Sequence, residues 1–194
     1  MNKSTLLFAL FLLLSAFTLS AQNTDVIDDT LEKYIKATNE KDWNAALDLV
    51  YEKLFTLAPK EQMLAMFQQM DAMGMSIKMT DYSITNKSEP IEADSSQFVI
   101  VNYDSREKLT LNNEAFSGDE MINMMKQQFV MTYGEDGVSW DKESKTFDLK
   151  GKKTMLAISK DGENWKFIEY KNTDPNQKMI FSQIIPAEVI EALN

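Results

Sequence analysis

The first part of the chain has apolar residues at spacings of three and four, the pattern of helices with one buried face. A first helix is predicted from Asp25 to Asn39, and residues 39–42 break the pattern, with Asp42 placed to cap the next helix. The second predicted helix has the clearest apolar stripe, made of Trp43, Ala46, Leu47, Val50, Tyr51 and Leu54. A third helix is predicted to begin at Pro59 and stop at Gly74, with an apolar face of Met63, Met66, Phe67 and Met70.

The period then changes from 3.6 to 2, which indicates strands. The predicted strands are 75–79, 98–103, 108–111, 138–140, 146–149, 153–159 and 165–170, with a polar connection over 88–96 and a hairpin turn at Asp161-Gly162. Between the third and fourth strands, Ser117-Gly118-Asp119-Glu120 has the form of a capping box, and it opens a predicted helix that Gly134 closes. Residues 171–178 look like a polar linker to a short last helix that follows Pro186.

This order of elements predicts an α+β fold, in which N-terminal helices pack on one face of a curved, mostly antiparallel sheet. An extra helix in mid-sequence and a short C-terminal helix complete it. We expect one domain over 22–194, with 174–194 as a C-terminal extension.

Residues 1–21 have the signature of a cleavable signal peptide: a positive start at Lys3, an apolar run from Leu6 to Leu14, and small residues up to Ala21. The run is shorter than the roughly 20 apolar residues that cross a bilayer. A buried N-terminal helix is the alternative, but this run has no polar face. Without cysteine, a lipid anchor and disulfides are both excluded, so we expect a soluble exported or periplasmic domain with no membrane anchor.

The chain also contains no histidine, and its net charge is −10. Imidazole acid–base catalysis, thiol catalysis and histidine-ligated zinc are therefore excluded. Acidity argues against nucleic acid as a partner. The six glycines are scattered and form no phosphate loop, and no cofactor is predicted.

Two stretches carry a resemblance to a known family. The sequence Asn39-Glu40-Lys41-Asp42-Trp43 after helical residues, and Trp165-Lys166-Phe167 in the last strand, are similar to the NTF2-like (SnoaL-like, cystatin-like) superfamily. Residues 54–63 and 184–189 resemble small exported proteins of Bacteroidota. The mid-sequence helix departs from the simplest members of the superfamily and leaves the strand order open.

The resemblance implies a cone-shaped cavity between the helices and the sheet, and it implies pairing of two copies through the outer sheet face as one arrangement. Six residues combine aromatic bulk with, in most cases, a polar group, and are the candidate lining of that cavity: Tyr34, Trp43, Tyr51, Phe67, Tyr103 and Trp140. Each is equally suited to an ordinary core position.

Thirteen methionines are the unusual compositional feature, with six of them between Met63 and Met79. Core packing explains most of them. One alternative is that they form an adaptable cavity wall for an apolar ligand, and another is that their thioethers bind copper. The favoured function is non-catalytic binding of a small apolar ligand or a protein partner. The alternative is a cofactor-independent isomerase, dehydratase or cyclase that uses tyrosine and a carboxylate inside the cavity.

Overall fold

The computed structural model describes residues 26–116, 118–171 and 175–193. The predicted signal peptide and Asp25 lie outside these residues. The first helix, α1, covers residues 26–40 and presents Ile27, Leu31 and Ile35 to the core, so its predicted apolar spacing is confirmed.

The break between the first two helices is a tight turn around Lys41, whose φ is 61°. The Asp42 N–H donates to the Ala37 carbonyl at 2.9 Å, which closes the end of α1 as a Schellman turn does. The Asp42 carboxylate then accepts a hydrogen bond from the Ala45 N–H at 3.1 Å. It thereby caps the second helix, α2, which covers Trp43–Asp48. The predicted cap is confirmed.

The second helix is shorter than its apolar stripe predicts. After Asp48 the chain leaves the helix, and Val50 forms a parallel bridge with Phe167. The Phe167 N–H donates to the Leu49 carbonyl at 2.8 Å, and the Tyr51 N–H donates to the Phe167 carbonyl at 3.0 Å. The predicted continuation through Leu54 is therefore wrong, because these bonds satisfy the backbone along a sheet edge instead. A 3₁₀ helix follows at Glu52–Thr56.

The third helix, α3, covers Lys60–Ala72, with Pro59 just before its first turn. Gly74 follows its last turn with φ at 75°, the left-handed conformation that glycine adopts at little cost. Met63 and Phe67 are partly buried, whereas Met66 is exposed. The predicted helix is confirmed, but its apolar face is narrower than expected.

Six strands form an open antiparallel sheet within the described residues. They are β1 (Met75–Lys87), β2 (Ile91–Ala93), β3 (Ser96–Leu111), β4 (Val138–Asp141), β5 (Thr146–Ser159) and β6 (Lys166–Tyr170). The two long strands β3 and β5 pair at the centre. Both β1 and β2 pair with the outer edge of β3, and both β4 and β6 pair with the outer edge of β5.

The predicted strand breaks in mid-sheet are wrong. Residues 98–103 and 108–111 belong to one strand, and so do 146–149 and 153–159, because β3 and β5 pair without interruption from Gln97↔Ser159 to Thr110↔Thr146. The predicted connection over 88–96 contains β2, which turns back through Asp94 and Ser95, both at positive φ. The Asp161-Gly162 turn does connect β5 to β6, as predicted.

Successive side chains of a strand point to opposite faces, so β3 defines two faces of the sheet. Face A contains the odd-numbered residues from Val99 to Leu111, all of them buried. α1 packs on the Val99 end of face A, and α4 packs on the Leu111 end. Face B contains Phe98 and Ile100 and packs against the C-terminal helices.

Three further helices complete the fold: α4 (Asp119–Tyr133), α5 (Pro175–Ile184) and α6 (Ala187–Ala192). The structure places Gly118 at the cap position of α4, and the predicted capping box rests on Ser117. Ser117 lies outside the described residues. Gly134 ends α4 with φ at 76°, as expected. The predicted linker over 171–178 is wrong in its second half, where α5 begins.

The coarse prediction of an α+β fold with a mainly antiparallel sheet is confirmed. Helices lie on both faces of the sheet rather than on one, because α5 and α6 bring Phe181, Ile184 and Val189 onto face B. No described helix has the length and apolar character needed to span a membrane.

Candidate functional site

A cavity of about 320 Å³ lies between face A and the helices α1, α2 and α3, and reaches α5. It extends around the outer edge of β6, since Phe167 and Ile168 point to opposite faces of that strand and both line it. Its wall is mainly aliphatic and aromatic. The lining residues are Tyr34, Thr38, Trp43, Ala46, Leu47, Val50, Leu54, Met63, Phe67, Ile77, Met155, Phe167, Ile168, Glu169, Ile180 and Phe181.

The helical wall of the cavity is held by a cluster around Trp43. Its indole stacks on Phe67 with the ring centres 4.7 Å apart and the planes 14° from parallel. The indole N–H donates to Asp71 Oδ2 at 2.7 Å, and Lys41 Nζ lies 2.6 Å from Asp71 Oδ1. These contacts join α2 to α3 through an aromatic stack and a charge-assisted hydrogen bond, so they fix the width of the cavity on this side.

Three lining residues carry polar groups that face an otherwise apolar wall: Tyr34, Thr38 and Glu169. The Thr38 hydroxyl is already used, since it donates to the Tyr34 carbonyl at 2.9 Å. Glu169 is the charged group of the lining, on β6 opposite Met155 of β5. The cavity therefore combines a large apolar surface with one carboxylate and one phenol.

Behind Glu169, a buried ionic cluster lies on face A between α1 and α4. Lys153 Nζ is 2.6 Å from Glu107 Oε1 and 3.5 Å from Glu169 Oε2. The Tyr133 hydroxyl donates to Glu107 Oε2 at 3.0 Å. The side chains of Lys153 and Glu107 are only 9% and 7% exposed, so this pair is largely removed from water.

Tyr133 reaches the cluster because Gly151 has no side chain in its path. Gly151 of β5 lies under its ring, and a Cβ at Gly151 would come within 2.8 Å of Tyr133 Cδ1. Glycine is thus required here by the close approach of a side chain from α4.

Burial and neighbouring charges keep the tyrosines of this region and Lys153 protonated. Burial raises the pKa of Tyr34, and the charge of Glu169 raises it further. Burial also raises the pKa of Tyr133 to about 12, and it raises the pKa of Tyr103 far above the usual range. For Lys153, burial alone would lower the pKa, but the carboxylates of Glu169 and Glu107 outweigh burial and raise it. At neutral pH the phenols are hydrogen-bond donors and Lys153 is a cation.

The structure brings three of the six predicted lining residues to the cavity: Tyr34, Trp43 and Phe67. The other three lie elsewhere. Tyr51 packs on face B because the chain turns after α2, and Tyr103 is buried under α1. Trp140 packs on Phe147 beside α4, with the ring centres 4.5 Å apart.

The charged residues Glu107, Lys153 and Glu169 were missed by sequence reasoning, although a signal for them exists. Each one stands at an inward position of a strand, two residues from a buried apolar side chain: Leu109, Met155 and Phe167 respectively. A charge in such a position interrupts an apolar alternation, and a buried charge requires a partner. The identity of the partners follows only from the strand pairing.

The methionines are distributed over several places. Met63 and Met155 line the cavity, and Met75 and Met125 pack in the cluster under α4. Met66, Met124, Met131 and Met179 are exposed. Among the described residues, no group of three or more aspartate or glutamate side chains is arranged to hold a metal ion.

No protein-family model matches this chain, and no curated protein matches it.

Proposed function

We propose that this protein binds a small, largely apolar ligand in the cavity between face A and the helices α1–α3. The observation that carries the proposal is the cavity itself, about 320 Å³ with a wall of aliphatic and aromatic side chains and few polar groups. Binding sites for small molecules have this size and character, with a small number of polar groups that orient the ligand. The partly buried methionine Met63 adds an adaptable surface to the wall.

Two further proposals accompany this function. The first is that the fold is an NTF2-like cone; the cavity enclosed by a sheet and N-terminal helices supports it. The second is that the protein works outside the cytoplasm, after removal of residues 1–21; the apolar run from Leu6 to Leu14 supports it.

The binding function is tested with N-phenyl-1-naphthylamine, an uncharged probe whose emission rises in apolar surroundings. We expect saturable binding by the wild-type protein. Ala46 lines the cavity and is 5% exposed, so the substitution Ala46→Phe is expected to fill space and weaken probe binding by at least tenfold. Met66→Phe is the matched control, because Met66 is exposed and does not line the cavity. Equal loss in both variants, or no saturable binding by the wild type, would contradict the proposal.

A second candidate function is proton abstraction next to a carbonyl, as in a cofactor-independent isomerase. It is favoured by one observation, the presence of a carboxylate and a neutral phenol in the same apolar cavity, Glu169 and Tyr34. In such a reaction the carboxylate removes the proton and the phenol donates a hydrogen bond to the oxyanion.

This candidate is tested by following hydrogen–deuterium exchange at the α-carbon of a cyclic ketone such as cyclohexanone by NMR. Exchange accelerated by the wild type and lost in Glu169→Gln would support catalysis. Exchange at the same rate in both proteins would exclude Glu169 as the base and leave the binding function alone.

A further inference from the structure

Glu169 is a carboxylate whose oxygens lack close donors. Among the described residues it accepts no hydrogen bond, and its two cationic neighbours are Lys153 at 3.5 Å and Lys171 at 3.8 Å. Charge-assisted hydrogen bonds between nitrogen and oxygen are typically about 2.7–2.9 Å long. The side chain is 34% exposed and is part of the cavity lining.

Lys153 neutralises this carboxylate only in part, because it is bound more closely to another one. Its Nζ atom lies 2.6 Å from Glu107 and 3.5 Å from Glu169. Lys171 has a side chain that is 39% exposed, so water and salt weaken its attraction. The cluster around Lys153 therefore has two carboxylates and one ammonium, and the more weakly paired carboxylate, Glu169, lines the cavity.

The rest of the lining offers no positive charge to an anion. No lysine or arginine lines the cavity within the described residues. The indole N–H of Trp43 is directed to Asp71, and the Thr38 hydroxyl is directed to the Tyr34 carbonyl. The Tyr34 hydroxyl belongs to the same lining as the carboxylate. A ligand thus meets a hydrogen-bond acceptor with negative charge at one point of an apolar wall.

We infer that the ligand of this cavity carries a single cationic amino group on an apolar body, and that the ammonium binds at Glu169. The inference rests on the proposed binding function and adds the chemical class of the ligand to it. An alcohol of the same shape would donate one hydrogen bond without the charge and would bind less tightly. A carboxylic acid, ionised at neutral pH, would be repelled.

The test compares three ligands with the same ten-carbon tail: decylamine, decanol and decanoate. Decylamine and decanoate are used below their critical micelle concentrations, and decanol below its solubility limit. They compete with N-phenyl-1-naphthylamine for the wild-type protein at neutral pH and moderate salt. We expect decylamine to displace the probe at a concentration at least tenfold lower than decanoate, with decanol between them.

Glu169→Gln is expected to abolish the preference for decylamine over decanol, measured in that variant as the ratio of the two competing concentrations. Glu163→Gln is the matched control, because it removes the same charge from an exposed turn outside the cavity. The net charge of −10 attracts any amine, and that attraction changes equally in both variants. A specific loss in Glu169→Gln alone therefore identifies the site.

The two proposals fail in different ways. If the probe binds in the cavity but decanoate competes as well as decylamine, the inference about the amino group is overturned and the binding function stands. If Glu169→Gln and Glu163→Gln behave alike, the amine does not bind at Glu169. If none of the ligands displaces the probe, or the probe does not bind at all, the binding function fails first. The ligand series with the wild-type protein decides the question even where a variant fails to fold.

Discussion

Replacing Lys153 with methionine should destabilise the protein strongly. The substitution keeps the length of the side chain but removes the cation that lies 2.6 Å from Glu107 and 3.5 Å from Glu169. Glu107 is 7% exposed, so it would remain as a buried carboxylate without a counter-charge. Removing one partner of a buried ion pair costs about 3–5 kcal/mol. The hydrogen bond from Tyr133 persists and favours the lower end, about 3 kcal/mol.

The cost of removing Glu107 should be smaller, because Lys153 would still have Glu169 as a partner. We therefore expect Glu107→Leu to destabilise less than Lys153→Met. The double variant should lie within about 2 kcal/mol of the wild type, since an apolar pair of similar volume commonly replaces a buried ion pair with little loss. A non-additive result of this kind is the sign of direct interaction between the two residues.

The assay is urea unfolding of the four proteins, followed by tryptophan fluorescence and by circular dichroism, with the free energy of unfolding obtained by linear extrapolation. For a chain of this size, about 3 kcal/mol corresponds to a fall in melting temperature of roughly 6–12 °C. A loss below about 1 kcal/mol for Lys153→Met, or a double variant that loses the sum of the two single losses, would refute the reasoning.

Three further predictions follow from the same contacts. Because Tyr133 has a pKa of about 12 in the folded protein and about 10 when unfolded, the folded chain retains a proton that the unfolded chain releases. Stability should therefore be full below pH about 10 and fall as pH rises towards about 12, and Tyr133→Phe should make this fall less steep in urea titrations across that range. Gly151→Ala should cost about 1–3 kcal/mol because its methyl group would meet Tyr133 Cδ1 at 2.8 Å, and thermal unfolding should show much less cost for it when Tyr133 is alanine. Asp71→Ala should cost about 1–2 kcal/mol through loss of the Trp43 hydrogen bond and should shift the tryptophan emission, whereas Asp71→Asn should retain most of the stability; equal effects of the two would contradict this account.

The periodicity of the sequence predicts elements that make their own local contacts. α1, α3 and α4 follow from apolar spacing and from stops at Lys41, Gly74 and Gly134, where the chain takes positive φ. The Asp42 cap and the Asp161-Gly162 turn follow from hydrogen bonds between residues close in sequence. Such signals are visible because they do not depend on the rest of the fold.

The wrong predictions occur where pairing between distant parts of the chain determines the local structure. The apolar stripe after Asp48 looks helical, yet Val50 pairs with Phe167, far along the chain. The polar residues inside β3 and β5 divide the predicted strands, although the backbones of β3 and β5 pair with each other throughout. Three of the sixteen lining residues, Tyr34, Trp43 and Phe67, were predictable as aromatic residues on helices. Glu169 was not, because its position depends on the pairing of β6 with β5.

The most direct test of the central claim uses the methionines as reporters. With ¹³C-methyl labelling, the methionines after residue 21 are observed by NMR, and single replacements by leucine assign their signals. Met63 and Met155 line the cavity, whereas Met124 and Met131 are exposed at 54% and 75%. Titration with decylamine should move the signals of Met63 and Met155 with one saturable dependence and leave those of Met124 and Met131 in place. Equal movement of all four signals, or movement of the exposed pair alone, would contradict binding in the cavity.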